Sequence, residues 1–127
     1  MPGGPRLEEV EEPQGVTEGK VKEESVFGRR PGIAWRDEEE AAREVLDALA
    51  EGRDAGDDGT LILVDSGRVF ELNLLGAEIW KLCDGRRTAG DVVDDILGRY
   101  EVERDELCRD VQVFFDDMTD RGWMVKL

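Results

Sequence analysis

The run Phe70-Glu71-Leu72-Asn73-Leu74-Leu75-Gly76-Ala77-Glu78-Ile79-Trp80-Lys81-Leu82-Cys83-Asp84-Gly85-Arg86-Arg87-Thr88 changes its periodicity once, at Asn73, and that change decides the fold. Before Asn73 the pattern alternates. Phe70 and Leu72 share one face of a strand, expected to face the core, and Val69 and Glu71 share the other. Asn73 is a good helix N-cap, because its side-chain oxygen can accept a backbone N–H left unpaired in the first turn. The spacing then becomes helical over Leu74 to Asp84, with Leu75, Ile79, Leu82 and Cys83 on the buried side and Gly85 as the stop. Thr88, with Asp91 three residues on, caps a second helix whose apolar face is Val92, Val93, Ile96, Leu97 and Tyr100.

Upstream, Thr60-Leu61-Ile62-Leu63-Val64 reads as a strand, Asp65-Ser66-Gly67 as a hairpin turn, and Arg68 to Leu72 as the returning strand. Downstream, a third helix is expected from Glu103 to Arg121. Val102 and Leu107 are spaced as a hydrophobic staple, and Leu107, Val111, Phe114, Phe115 and Met118 form a wide stripe. Gly122 ends it, and Trp123 to Leu127 returns as a short strand. Before the hairpin, Gly32 to Arg36 is short and extended, with Trp35 as its core anchor. Asp37-Glu38-Glu39-Glu40 then opens a helix, Asp37 capping it and Glu40 completing a capping box. Its stripe is Ala41, Val45, Leu46 and Leu49, and Gly52 ends it. Residues 1–31 carry Pro2, Pro5, Pro13 and Pro31 and only isolated apolar residues, so a disordered tail is expected, with docking of Val21 to Phe27 as a strand the lesser alternative, followed by one domain over 32–127. The fold class is α+β: a small antiparallel sheet of about three strands followed by three helices, resembling a winged helix-turn-helix.

The formal charge of −15 is unevenly spread: residues 37–59 hold ten acids against two arginines. Nucleic acid and anionic membrane are disfavoured as partners, because phosphate is held by clustered Lys and Arg. There is no histidine, which excludes Ser-His-Asp and Cys-His catalysis, and two separate cysteines do not make a zinc site. Cys83 and Cys108 are read as buried small hydrophobes. Residues 53–59 lack the ligand spacing of a calcium loop, and no glycine-rich nucleotide cradle is present. Asp94-Asp95 and Asp116-Asp117 are adjacent on helices and so diverge, which does not suit general acid–base work. The expectation is a non-enzyme without cofactor or metal. Met1-Pro-Gly-Gly-Pro begins no apolar signal stretch and no run reaches membrane-spanning length, so a cytoplasmic location is expected.

The quoted motifs resemble those of the PqqD-like family, the small recognition elements for ribosomally synthesised, post-translationally modified peptides. The resemblance rests on Glu71-Leu72-Asn73, Ala77 to Gly85, Arg87-Thr88, Tyr100-Glu101-Val102, Leu107 to Phe114 and Gly122-Trp123. It implies a non-catalytic peptide chaperone that binds the leader of a precursor peptide and presents it to a modifying enzyme, often a radical SAM enzyme. Residues 37–59 depart from the compact family pattern, in which the first two strands are joined more directly, and read as a helical insertion.

In such recognition elements the leader adds as a strand in the cleft between the third strand and the third helix. Carried onto this chain, Val69, Phe70, Glu71 and Leu72 present the edge. The facing wall comes from one flank of the third helix. Asp110, Val113, Asp117 and Arg121 line one side of the Leu107-Val111-Phe114-Met118 line, and Cys108, Gln112, Phe115 and Thr119 line the other. The first side is favoured, with Asp110 and Asp117 available to leader Lys or Arg, and one of Phe114 and Phe115 bordering the cleft while the other fills the core. The candidate site is therefore Val69, Phe70, Glu71, Leu72, Asp110, Val113, Phe114 and Asp117. Two rival readings are an acidic scaffold or adaptor docking a protein partner, and a winged-helix DNA-binding regulator. The second is disfavoured because acids outnumber arginines on its recognition helix.

Overall fold

The computed structural model describes residues 22–127. The elements run β1 (Val26–Arg29), β2 (Ala34–Asp37), α1 (Glu39–Ala50), β3 (Gly59–Asp65), β4 (Arg68–Asn73), α2 (Leu74–Leu82), β5 (Asp84–Thr88), α3 (Ala89–Arg99), α4 (Arg104–Asp120) and β6 (Met124–Lys126). The architecture is α+β, with four helices and two small antiparallel sheets ordered β2-β3-β4 and β5-β1-β6 among the described residues.

The first sheet follows the sequence pattern. Leu61 and Leu63 of β3 are fully buried and lie opposite Leu72 and Phe70 of β4, while Ile62 and Val64 lie opposite Glu71 and Val69. Ser66 (φ 54°) and Gly67 (φ 80°) form the two-residue turn, both left-handed as a type I′ hairpin requires. Asn73 Oδ1 accepts the Gly76 N–H at 2.9 Å, and Thr88 and Asp91 close the reciprocal capping box of α3. α2 is the hub: Leu74, Leu75, Ala77, Ile79 and Trp80 are all buried. Tyr100 Oη donates to Glu78 Oε2 at 3.0 Å, and Arg99 holds the other Glu78 oxygen at 2.8 Å, tying α2 to the end of α3.

The second sheet is the main departure from the sequence reading. β1 lies inside the stretch expected to be a disordered tail, and residues 1–21 of that stretch lie outside the described residues. The reason for β1 is long-range. Phe27 stacks on Phe115 with ring centroids 4.0 Å apart, and Val26 pairs with Thr88, 62 positions along the chain. Arg29 Nη1 donates to the carbonyls of Trp80 (2.7 Å) and Lys81 (3.1 Å) in the last turn of α2, where Trp80 also accepts the Cys83 N–H at 3.3 Å. None of these partners is visible in the local period. Similarly, α2 ends at Leu82 and not at Asp84, because Asp84 to Thr88 pairs with β1 as β5. The Asp84 carboxylate accepts the Arg86 and Arg87 N–H groups, and these two bonds hold its pKa below the usual value.

Three smaller corrections have clear causes. Asp37 does not cap α1: Glu38 occupies the cap position without a side-chain bond, and Asp37 ends β2 with its carboxylate on Lys81 at 3.1 Å. Trp35 is 39% exposed rather than a core anchor, its ring lying under the Arg29 guanidinium at 5.3 Å. The core line of α4 is Leu107, Val111, Phe115 and Met118, so Phe115 takes the place expected of Phe114. Cys83 and Cys108 are buried thiols, as expected, and burial pushes the Cys83 thiol up to about 12.

Candidate functional site

β4 pairs with β3 alone among the described residues, so its other side is an open edge. The hairpin fixes which groups that edge presents. In a two-residue turn the closing pair, Asp65 and Arg68, exchange both ladder bonds, and bonded and non-bonded pairs then alternate. Phe70 is therefore bonded inward to Leu63, while the N–H and C=O of Val69 and Glu71 point outward. Val69 is 64% exposed and Glu71 is exposed as well. An edge of this kind accepts another strand.

The face of β4 carrying Phe70 and Leu72 turns toward α4, and the two are separated by side chains. Towards the start of α2, Phe114 reaches Gly76: a Cβ at that glycine would lie 3.1 Å from Phe114 Cε1 and 3.5 Å from Leu72 Cβ. Only hydrogen at position 76 lets the ring sit this close to the end of the strand. Towards the hairpin, Phe70 meets Trp123 at 4.6 Å between ring centroids, and Trp123 Nε1 donates to Asp65 Oδ2 at 2.9 Å. The Arg121 guanidinium lies 5.0 Å from the Trp123 ring and 5.9 Å from Phe70, with Nε donating to Asp117 Oδ1 at 3.0 Å. Arg68 lies 5.7 Å from the same Phe70 ring.

The expected edge residues Val69, Phe70, Glu71 and Leu72 thus lie along one strand, facing the flank of α4 that carries Val113, Phe114, Asp117 and Arg121. Phe114 is half-buried beside β4, while Phe115 fills the core. Asp110 stands apart from this group. It is 3% exposed and partnered within the fold, so it is not presented as a surface charge. Asp117 is exposed but engaged by Arg121. The sequence reading left out of its site Arg68, Gly76, Arg121 and Trp123. Arg68 carried a usable signal, since it stands two residues before Phe70 and shares its face. Arg121 was placed on the favoured flank by its helical spacing from Asp117 but not counted into the site, and Trp123 depends on how the chain turns after α4, which no local pattern states.

An α+β domain with an exposed sheet edge beside one helix has the geometry to which an extended chain can add as a further strand. The profile of coenzyme PQQ synthesis protein D (PqqD) matches residues 60–124, half of the chain, and the chain belongs to the PqqD family. It is 31% identical over 65 residues to a PqqA binding protein of Rhodopseudomonas palustris (strain TIE-1), covering 51% of this chain and 64% of that one. To a PqqA binding protein of Bradyrhizobium diazoefficiens it is 28% identical over 87 residues, covering 68% and 84%. The chain thus spans just under two thirds of the Rhodopseudomonas relative. Among solved structures, lasso peptide synthetase B1 complexed with the leader peptide matches with a TM-score of 0.54 at 24% identity, over 78% of this chain and 96% of that one. That likeness is one of fold.

Proposed function

We propose that this chain is a non-catalytic peptide chaperone of the cytoplasm. It takes the leader of a ribosomally made precursor peptide as an added strand and presents it to a modifying enzyme, a radical SAM enzyme or another peptide-maturation enzyme. The observation that carries the reading is the open β4 edge, whose outward N–H and C=O groups at Val69 and Glu71 adjoin the Phe70–Phe114 groove. The relatives' description as PqqA binding proteins, and the fold shared with a synthetase solved with its leader, support it.

The binding residues in this reading are Val69 and Glu71 through their backbone, and Phe70, Leu72, Val113 and Phe114 through side chains. Asp117 acts through its hold on Arg121. The non-catalytic role is supported by the divergence of the acid pairs. Asp94 is paired with Arg104 and Asp95 with Arg99, while Asp116 accepts from Gln112 and Asp117 from Arg121. In this reading the hairpin, the helices α2, α3 and α4 and the final short strand make a winged helix-turn-helix-like arrangement, used here for a peptide. Among the described residues no helix is long and apolar enough to cross a membrane.

The test is a titration of fluorescently labelled leaders, taken from short open reading frames beside the coding sequence, against the full chain. Submicromolar binding to one of them, lost when the β4 edge is blocked, is expected. Failure of every such leader to bind the folded protein would leave the acidic scaffold as the better account.

A further inference from the structure

The groove beside β4 is not uniform in charge, and its polarity specifies a peptide pattern. This inference rests on strand addition at β4 and names the chemistry of the strand that is added. Arg68, Phe70 and Leu72 project to one face of β4 at successive two-residue steps. At the hairpin end, the Arg68 and Arg121 guanidinium groups both lie within 6 Å of the Phe70 ring centre. At the other end, Leu72, Gly76 and Phe114 make an apolar wall. In a chain of net charge −15, two arginines converge on one aromatic ring, one of them paired with Asp117 and the other, Arg68, three positions from the Asp65 that holds Trp123.

Arg121 is held for use. Among the described residues one of its five N–H donors, Nε, is engaged by Asp117, and the guanidinium carbon lies 5.0 Å from the Trp123 ring centre and 5.9 Å from that of Phe70. A guanidinium stacked on rings keeps its in-plane donors free for a carboxylate, and its side chain has little entropy left to lose. We infer that the groove selects peptide strands carrying an acidic side chain at the Arg68–Arg121 end and an apolar side chain four residues away, against Leu72 and Phe114. Antiparallel addition places the acid C-terminal to the apolar residue, and parallel addition places it N-terminal. The position between them lies over Phe70 and Trp123 and takes an apolar or aromatic residue. This reverses the expectation of a cationic leader pairing with Asp110 and Asp117.

The probe is a phage-displayed library of random 12-residue peptides, panned against the full chain and, in parallel, against Val69→Pro and the double variant Arg68→Glu/Arg121→Glu. Circular dichroism melting of each variant establishes that it is folded. Peptides that bind the wild-type chain and not Val69→Pro should be enriched in Asp or Glu four positions from an apolar residue. For the best of them, changing that acid to Gln should weaken binding at least tenfold, and changing it to Lys should move its preference to the Glu/Glu variant. Edge-dependent peptides without acidic enrichment would overturn the inference and leave the strand-addition reading standing. Absence of any edge-dependent peptide would overturn both.

Discussion

Replacing Val69 by proline isolates the backbone from everything else at this site. Proline removes the N–H that points away from β3 and puts its ring where an added strand's carbonyl would dock. The β3–β4 ladder is untouched, because its bonds come from Arg68 and Phe70, and proline is tolerated on an edge strand whose N–H faces solvent. An added strand loses one hydrogen bond, about 1 kcal/mol net, and one of its carbonyls is left buried without a donor, about 1–3 kcal/mol more. The total, about 2–4 kcal/mol, corresponds to a Kd raised roughly 30- to 1000-fold. Fluorescence anisotropy with a labelled leader measures it, with the melting temperature as the folding control. Val69→Ala keeps the N–H and should stay within about threefold of wild type if main-chain pairing dominates. A folded Val69→Pro that binds leader as well as Val69→Ala does would refute the argument that this edge is the site.

Phe114→Ala should weaken leader binding about tenfold or more while costing little stability, whereas Phe115→Ala, 1% exposed and stacked on Phe27, should cost about 3–5 kcal/mol in urea unfolding. If the two stability costs come out equal, their division between groove and core is wrong. Arg29→Ala should destabilise the protein by about 1–3 kcal/mol, because the Lys81 carbonyl loses its Arg29 donor and the Trp80 carbonyl keeps only the longer Cys83 N–H bond; a loss under about 0.5 kcal/mol contradicts the capping role. Cys83 gives a pH signature. Its thiol pKa rises from 9.0 to about 12 on folding, mainly through burial. The folded state therefore binds the proton more tightly than the unfolded state does, so this contribution is intact below pH 9 and is lost as the pH rises towards 12. At full loss it amounts to about 4 kcal/mol, from 1.36 kcal/mol per pKa unit. Urea unfolding at pH 8 and pH 11 should show a smaller alkaline loss in Cys83→Ala than in wild type, and identical losses would contradict the assignment.

The parts of the fold legible in the sequence were those fixed by neighbours along the chain. The β3–β4 hairpin, the Asn73 and Thr88 caps and the α4 stripe each depend on residues within a few positions of one another. β5 was missed, and β1 was reached only as the lesser alternative of a strand over Val21 to Phe27, because neither has a period or composition of its own. β1 is held by Phe115 and the end of α2, and β5 by β1. Asp37 offered a good capping residue in the right place, but a lysine 44 positions away won its carboxylate. The placement of the candidate site's residues was legible on the strand side, where the alternation of residues 69–72 separates the two faces of β4. On the helix side it was legible only to the flank. Phe114 and Phe115 are neighbours of equal size, and only the stacking of Phe27 on Phe115 decides which one enters the core. Asp110 was misjudged for the same reason, since a surface-type residue on the right flank is buried by packing that the sequence does not display.

Backbone amide exchange of the full chain, followed by NMR with and without a saturating labelled leader, tests strand addition most directly. The Val69 and Glu71 N–H groups point to solvent in the free protein and should exchange fast. On binding they should be protected by at least about tenfold, because an added strand gives each a carbonyl acceptor. Protection confined to other elements, with Val69 and Glu71 exchanging as fast in the complex as in the free protein, would contradict leader capture at the β4 edge.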